Sequence, residues 1–177
     1  MPSGKVHDAI TLGLALPAFG AGYLITGSGA SSLICGVAFI FGGLMFGPDL
    51  DTVSRPYSRW GPVRAIWLPY RYFFPHRSRF SHGLILGALI RVIYFLGVVT
   101  LVGLIAAYLY QTFNGGRMPG VGDIVQMWNP VGQNLREKFG SNFLIIVFVG
   151  LWAGAASHTF TDLAGSFIKT GRTGKFF

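Results

Sequence analysis

The sequence predicts an all-α integral membrane protein, a bundle of about four transmembrane helices with an amphipathic aromatic and basic interfacial loop. Composition is the first reason: 51% of the 177 residues are hydrophobic and only 11% charged, roughly half the charged fraction of a soluble domain. The second is that the apolar residues fall into four long runs. The third is that the net charge of +8 is concentrated between those runs and at the chain end, as in loops that face cytoplasm and anionic lipid. That distribution points to membrane lipid, not nucleic acid, as the partner of the charge. A chain of this size has one core, so residues 1–177 read as a single membrane domain.

The runs extend from Ala9 to Thr26, Ser31 to Phe46, Gly83 to Phe113 and Phe143 to Ile168. A span needs about 20 residues; the second run is short and the third can cross with tilt. Each is expected to be helical, because a bilayer offers the backbone no other partner unless a barrel closes. Stretches such as Leu84–Ile90 and Phe143–Val149 lack the alternation of barrel strands. Gly36, Gly42, Gly43 and Gly47 form a small-residue face suited to close helix approach. The lone cysteine, Cys35, lies in an apolar run and reads as a small buried hydrophobe. The N-terminal residues do not resemble a signal peptide, so the first run is expected to be retained.

Two linkers separate these runs. Asp49–Ser81 interleaves Tyr57, Trp60, Trp67, Tyr70 and Tyr72 with six arginines, and is expected to lie at the headgroup level. Asn114–Asn142 is nearly balanced in charge, with turns expected at Pro119, Gly120, Asn129 and Pro130. The positive-inside rule then places both termini and the first linker on the cytoplasmic side.

On that topology the chain's four histidines and four of its six acidic residues gather on one side. His7 and Asp8 precede the first helix, Asp49 and Asp51 follow the second, His76 and His82 precede the third, and His158 and Asp162 end the fourth. Ionisable groups at an apolar boundary are costly unless paired or bound to a cation, which makes one metal site the expectation. His158 and Asp162, four apart, share a helix face, and imidazole with carboxylate suits a divalent ion. Of Asp49 and Asp51, one is placed to bind and the other to orient a histidine. Plainer readings stand beside these. Asp8 reads equally as an N-cap, Asp49 or Asp51 as a turn residue after Pro48, and His76 as an interfacial side chain. His82 reads as a helix start, and His158 with Asp162 as a private hydrogen-bonded pair. Arg91, inside the third run, either pairs with a carboxylate or snorkels.

The segments Met1-Pro2-Ser3-Gly4-x-x-His7-Asp8, Phe41–Asp51, His76-Arg77-Ser78-x-x-Ser81-His82 and His158-x-x-x-Asp162 resemble the uncharacterised metal-binding family of small membrane proteins frequent in cyanobacteria. More distantly they resemble membrane-bound metal-dependent hydrolases and part of the zinc-dependent phospholipase C pattern. The resemblance implies His7, Asp49, His82, His158 and Asp162 as ligands. Gly83 stands where a serine follows His82 in the hydrolases, and the further histidines and glutamate of a three-zinc centre are missing.

The expected function is therefore a metal-dependent hydrolase acting on a phosphoester of a lipid or lipid-linked substrate. Zinc is the first choice of cofactor, with manganese or iron as alternatives. His7, Asp49, His76, His82, His158 and Asp162 are the candidate ligands, and Asp51 or Asp8 the candidate base or orienting carboxylate. Arg77 and Arg79 are the candidate headgroup contacts, or ordinary topogenic charge. The rival expectation is a non-catalytic subunit, fastened by metal and docking on a larger membrane complex.

Overall fold

The computed structural model describes residues 3–75, 78–117 and 119–171. Every regular element among them is helical: α1 (Gly4–Thr26), α2 (Gly29–Leu44), α3 (Arg55–Arg59), α4 (Leu68–Phe73), α5 (Arg79–His82), α6 (Leu86–Asn114), α7 (Val121–Phe139) and α8 (Phe143–Thr170). Short 3₁₀ turns cover Pro48–Asp51 and Gly61–Trp67. Three helices, α1, α6 and α8, are long and apolar enough to cross a membrane. They leave large apolar side chains bare, including Leu16, Leu24, Ile93 and Ile168, as helices do when hydrocarbon is their solvent. The fourth apolar helix, α2, has 16 residues, about 24 Å of rise, less than the roughly 30 Å hydrocarbon core.

The chain forms two compact units, Met1–Arg91 with Leu144–Phe177, and Val92–Phe143. In the first, α1 ends where Gly27 turns left-handed (φ 64°) and its N–H reaches Tyr23 O at 2.8 Å, a conformation glycine adopts without a Cβ clash. Ser28 then caps α2 by accepting the Ser31 N–H, and α2 runs back antiparallel to α1. Glycine sets the approach of α8 to α2: a Cβ at Gly150 would stand 2.6 Å from Cys35 O and 2.7 Å from Ala38 Cβ. At Gly154 it would collide with Phe39 O, and at Gly42 with Leu151 O. Backbones this close leave room for no side chain, which is how apolar helices associate when dispersion replaces the hydrophobic effect.

The segment between α2 and α6 is folded more tightly than a headgroup-level loop. Trp67, Tyr70 and Leu50 are fully buried. Trp67 meets Phe46, Trp60 and Tyr70 edge-on at 5.5, 5.3 and 5.7 Å, and the Arg71 guanidinium lies 4.7 Å from the Tyr57 ring centroid. Tyr72 and Phe73 face outward. The expectation of aromatics at the interface therefore does not hold for Tyr57, Trp67 or Tyr70, which are buried, Trp67 and Tyr70 edge-on to each other. Burial pushes the Tyr70 hydroxyl above its usual value, opposed by the charge of Arg91.

In the second unit, the expected turn at Asn129-Pro130 is replaced by the continuous helix α7, with Pro130 inside it. Proline removes one i→i−4 bond. The half-buried face of Ile124, Met127, Trp128 and Leu135 follows the helical period and overrides that loss. The Trp128 indole donates to Thr100 Oγ1 at 3.0 Å. At the start of α7, the Gly120 N–H donates to the Asp123 carboxylate, which also accepts from Arg117 Nη2 at 2.6 Å. Those contacts, the backbone one first, hold the Asp123 carboxyl below its usual value.

Candidate metal centre

α1 begins at Gly4, so His7 and Asp8 lie within its first two turns, not before it; Ser3, not Asp8, holds the N-cap position. His7 is buried on the face that also carries Thr11 and Gly22. α8 enters apolar and ends polar, with Ser157, His158, Thr159, Thr161 and Asp162 buried near its C-terminal end. The start of α1 lies against the stretch of α8 that carries His158 and Asp162, and the two histidine rings stack, centroids 3.8 Å apart and planes 9° from parallel.

The stack turns ring edges toward carboxylates. His7 Nε2 is 3.2 Å from Asp162 Oδ1, and His158 Nδ1 is 3.7 Å from Asp162 Oδ2. On its other edge His158 Nε2 is 3.6 Å from Asp49 Oδ2, while Asp49 Oδ1 is 3.3 Å from His82 Nε2. The far nitrogen of His82, Nδ1, faces Ser81 Oγ at 3.0 Å and Asp51 Oδ2 at 3.5 Å. Gly47 stands against the His158 ring, where a Cβ would lie 3.6 Å from Cδ2.

These separations carry information. Hydrogen bonds between such groups run at about 2.7–3.2 Å, whereas two donors about 2.0–2.1 Å from one tetrahedral ion lie roughly 3.3 Å apart. Four of the five imidazole–carboxylate contacts exceed the first range. His7 Nδ1, His158 Nδ1 and Asp162 Oδ1 are also buried without a hydrogen-bond partner among the described residues. Polar atoms left so are costly. One donor atom each from His7, His158 and Asp162 fall within 4.8 Å of one another. The residues present therefore fit a divalent cation.

The remaining residues are placed as follows. Asp8 Oδ2 accepts from Arg55 Nη1 at 2.7 Å and Arg59 Nη2 at 2.6 Å. Arg91 does not snorkel: it is buried, and its Nη1 donates to Ser81 O at 2.6 Å, directly behind His82. His76 and Arg77 lie outside the described residues, as does the Arg79 side chain.

Sequence reasoning read Arg55 and Arg59 only as topogenic charge. The overlooked signal was local. Ser54 accepts the Tyr57 N–H at 3.2 Å and starts a short helix with Pro56 near its beginning. The i,i+4 spacing then puts both guanidiniums on one side. Gly4 makes room for them, since a Cβ there would lie 2.6 Å from Arg55 Cδ. Arg55, Asp8, Ser54 and Ser58 line a cleft of about 460 Å³ together with His7, Asp49 and His158.

These features define a class: an all-helical protein with apolar helices of membrane-crossing length and a buried histidine–aspartate cluster suited to a metal. The chain belongs to the family described as "Uncharacterized metal-binding protein (DUF2227)", which it matches over residues 2–172. It is also similar to a protein of Aquifex aeolicus (strain VF5) described as "Uncharacterized protein", 33% identical over 60 residues. That match takes in 33% of this chain and 42% of the relative, less than half of the relative's length. No solved structure matches the chain.

Proposed function

We propose that the protein is a membrane-embedded, divalent-metal-dependent hydrolase that cleaves a phosphoester of a lipid or lipid-linked substrate at the cytoplasmic surface, with α1, α2, α6 and α8 as its four spans. One observation supports this reading above the others: His7, Asp49 and His158 line the same cleft as Arg55 and the hydroxyls of Ser54 and Ser58. Structural metal sites are closed, whereas catalytic ones keep access for water and substrate.

In this reading His7, His158 and Asp162 hold the ion, with Asp49 beside them. Zinc suits this donor set first, manganese or iron less well, and such an ion supplies Lewis acidity and lowers the pKa of water. His82 joins through Nε2, its tautomer set by Asp51 and Ser81 at Nδ1, as outer contacts commonly do for a liganding imidazole. Asp8 shares one oxygen between two arginines, so it orients them, and their two charges offset those of Asp8 and Asp49 at the cleft. Guanidinium forks match phosphate geometry, and Arg77 and Arg79 would add to that field.

The test is metal analysis and turnover of bis(p-nitrophenyl) phosphate and phosphatidylglycerol by detergent-purified protein, wild type beside Asp49→Ala. Wild-type turnover that falls with metal content in the variant supports the assignment. Full turnover in a folded Asp49→Ala protein defeats it. The donors also tie α1, α8, α5 and the Pro48–Asp51 turn together, which favours a second reading, a non-catalytic subunit fastened by metal and docking on a larger membrane complex. That reading expects bound metal and no turnover.

A further inference from the structure

The short helix that carries His82 cannot hold that side chain by itself. α5 is a single turn, Arg79–His82, and one turn fixes its dihedrals for too few hydrogen bonds to stand alone. Its entry is tied locally: Ser78 Oγ accepts the Ser81 N–H at 3.1 Å, and Ser78 O accepts the His82 N–H at 2.9 Å. Its exit is tied from a distance. The last carbonyls of a helix have no partner within it, and Ser81 O accepts instead from Arg91 Nη1 on α6 at 2.6 Å. Further along, Leu84 O accepts the Trp152 indole N–H from α8 at 2.9 Å. Two long helices therefore grip the backbone on either side of His82.

Arginine is a costly choice for that grip. Arg91 is 2% exposed in a helix of membrane-crossing composition, where a buried charge is expensive and a functional candidate by default. Long side chains on a helix lean toward its N-terminus, so Arg91 runs back over Gly87, one turn earlier, to reach Ser81 O. Glycine makes that path possible: a Cβ at Gly87 would lie 2.7 Å from Ser81 O and 3.3 Å from Arg91 Nη1. The charge of the guanidinium also acts on Tyr70, Asp51 and Asp49. We propose that Arg91 is a positioning residue of the metal centre, holding the Ser81–His82 peptide so that the His82 ring keeps Nε2 toward Asp49 and Nδ1 toward Ser81 and Asp51. The ring nitrogens stand 3.3 Å from Asp49 Oδ1, 3.0 Å from Ser81 Oγ and 3.5 Å from Asp51 Oδ2. Turning that peptide would swing the ring about its Cα and alter all three separations at once. The inference rests on the reading of His82 as a donor to the ion, and adds what keeps it there.

The experiment follows the NMR signals of isotope-labelled histidine ring nitrogens in the full chain in detergent, freed of metal with chelator. Zinc affinity is then measured on the same samples by chelator competition. Wild type should show His82 as one tautomer, with the proton on Nδ1. In Arg91→Met both tautomers should be populated and the zinc Kd should rise about 10–100-fold, as it does when the support of a liganding imidazole is removed. An arginine that only stabilises the bundle would lower Tm and leave the His82 signals and the Kd alone; that result overturns the proposal. A double-mutant cycle gives a second decision. In a His82→Ala background Arg91→Met should weaken zinc binding no further, and a second loss of the same size overturns the proposal. Should Arg91→Met fold poorly, Gly87→Ala disturbs the same contact with the charge kept, and unchanged His82 signals in that variant overturn it. Zinc binding by His82→Ala equal to the wild type's removes His82 from the ion, and with it the reading on which the inference rests. The ring signals of Arg91→Met then decide whether Arg91 holds His82. Zinc bound without phosphoester turnover leaves Arg91 in its role and removes only the hydrolase.

Discussion

Asp162→Asn isolates the charge of the metal cluster with almost no change of shape. The carboxylate stands 3.2 Å from His7 Nε2 and 3.7 Å from His158 Nδ1, so both imidazoles lose their shared anionic neighbour. Even outer-shell changes weaken metal sites about 10–100-fold, and a direct donor belongs at the upper end, about 100-fold or 2.7 kcal/mol. At free metal a thousand times the wild-type Kd, binding stabilises the wild type by about 4.1 kcal/mol and the variant by only about 1.4. For a chain of this size the difference corresponds to roughly 5–10 °C in Tm. Without metal the order should close or invert, because a carboxylate oxygen that is buried and unpartnered gives way to an amide able to donate. The assay is thermal unfolding in detergent, with chelator and then with zinc or manganese restored, beside metal content by elemental analysis. A variant whose Kd and metal-induced Tm shift equal the wild type's would show that Asp162 is no donor, and the cluster would revert to a polar pair.

Two further expectations follow from the packing and the charge of the two units. Gly154→Ala puts a Cβ against Phe39 O and 2.7 Å from Gly43 N, both backbone atoms. Overpacking of about 1–3 kcal/mol is expected, read as a lower Tm; unchanged stability would mean that α2 and α8 are not in this contact. Asp123 titrates below its usual 3.8 because the Gly120 N–H and then Arg117 favour its charged form. A depressed carboxylate contributes stability that is present above the unfolded pKa and lost as pH falls through the folded one. Amide protection factors at the start of α7, corrected for the intrinsic pH dependence of exchange, should therefore hold steady from pH 7 to about 4 and fall only below that; a fall between pH 6 and 4 would contradict the cap.

The helical runs were legible because long apolar stretches without the two-residue alternation of strands satisfy their backbone best as helices. The four runs recur as α1, α2, α6 and α8, with ends moved by a few residues. The convergence of His7, Asp49, His82, His158 and Asp162 was also legible, since the expected topology gathers them on one side. Metal affinity of the family agrees with that chemistry.

Local reasoning failed where side chains from distant segments chose one another. Pro130 looked like a turn until the apolar period of α7 found a surface on α6. Trp67 and Tyr70 looked interfacial until they found each other. Arg55 and Arg59 looked like topogenic charge until Asp8, some 50 residues earlier in the chain, claimed both. The sequence by itself determined which segments must be helical and which residues carry ligand chemistry, because those follow from solvent and side-chain type. The tertiary structure alone decided that His7 stacks on His158, that Asp49 stands between His158 and His82, and that a cleft lined by Arg55 borders His7 and His158. Those are relations between helices, set by where glycine lets backbones touch, and no local pattern encodes them.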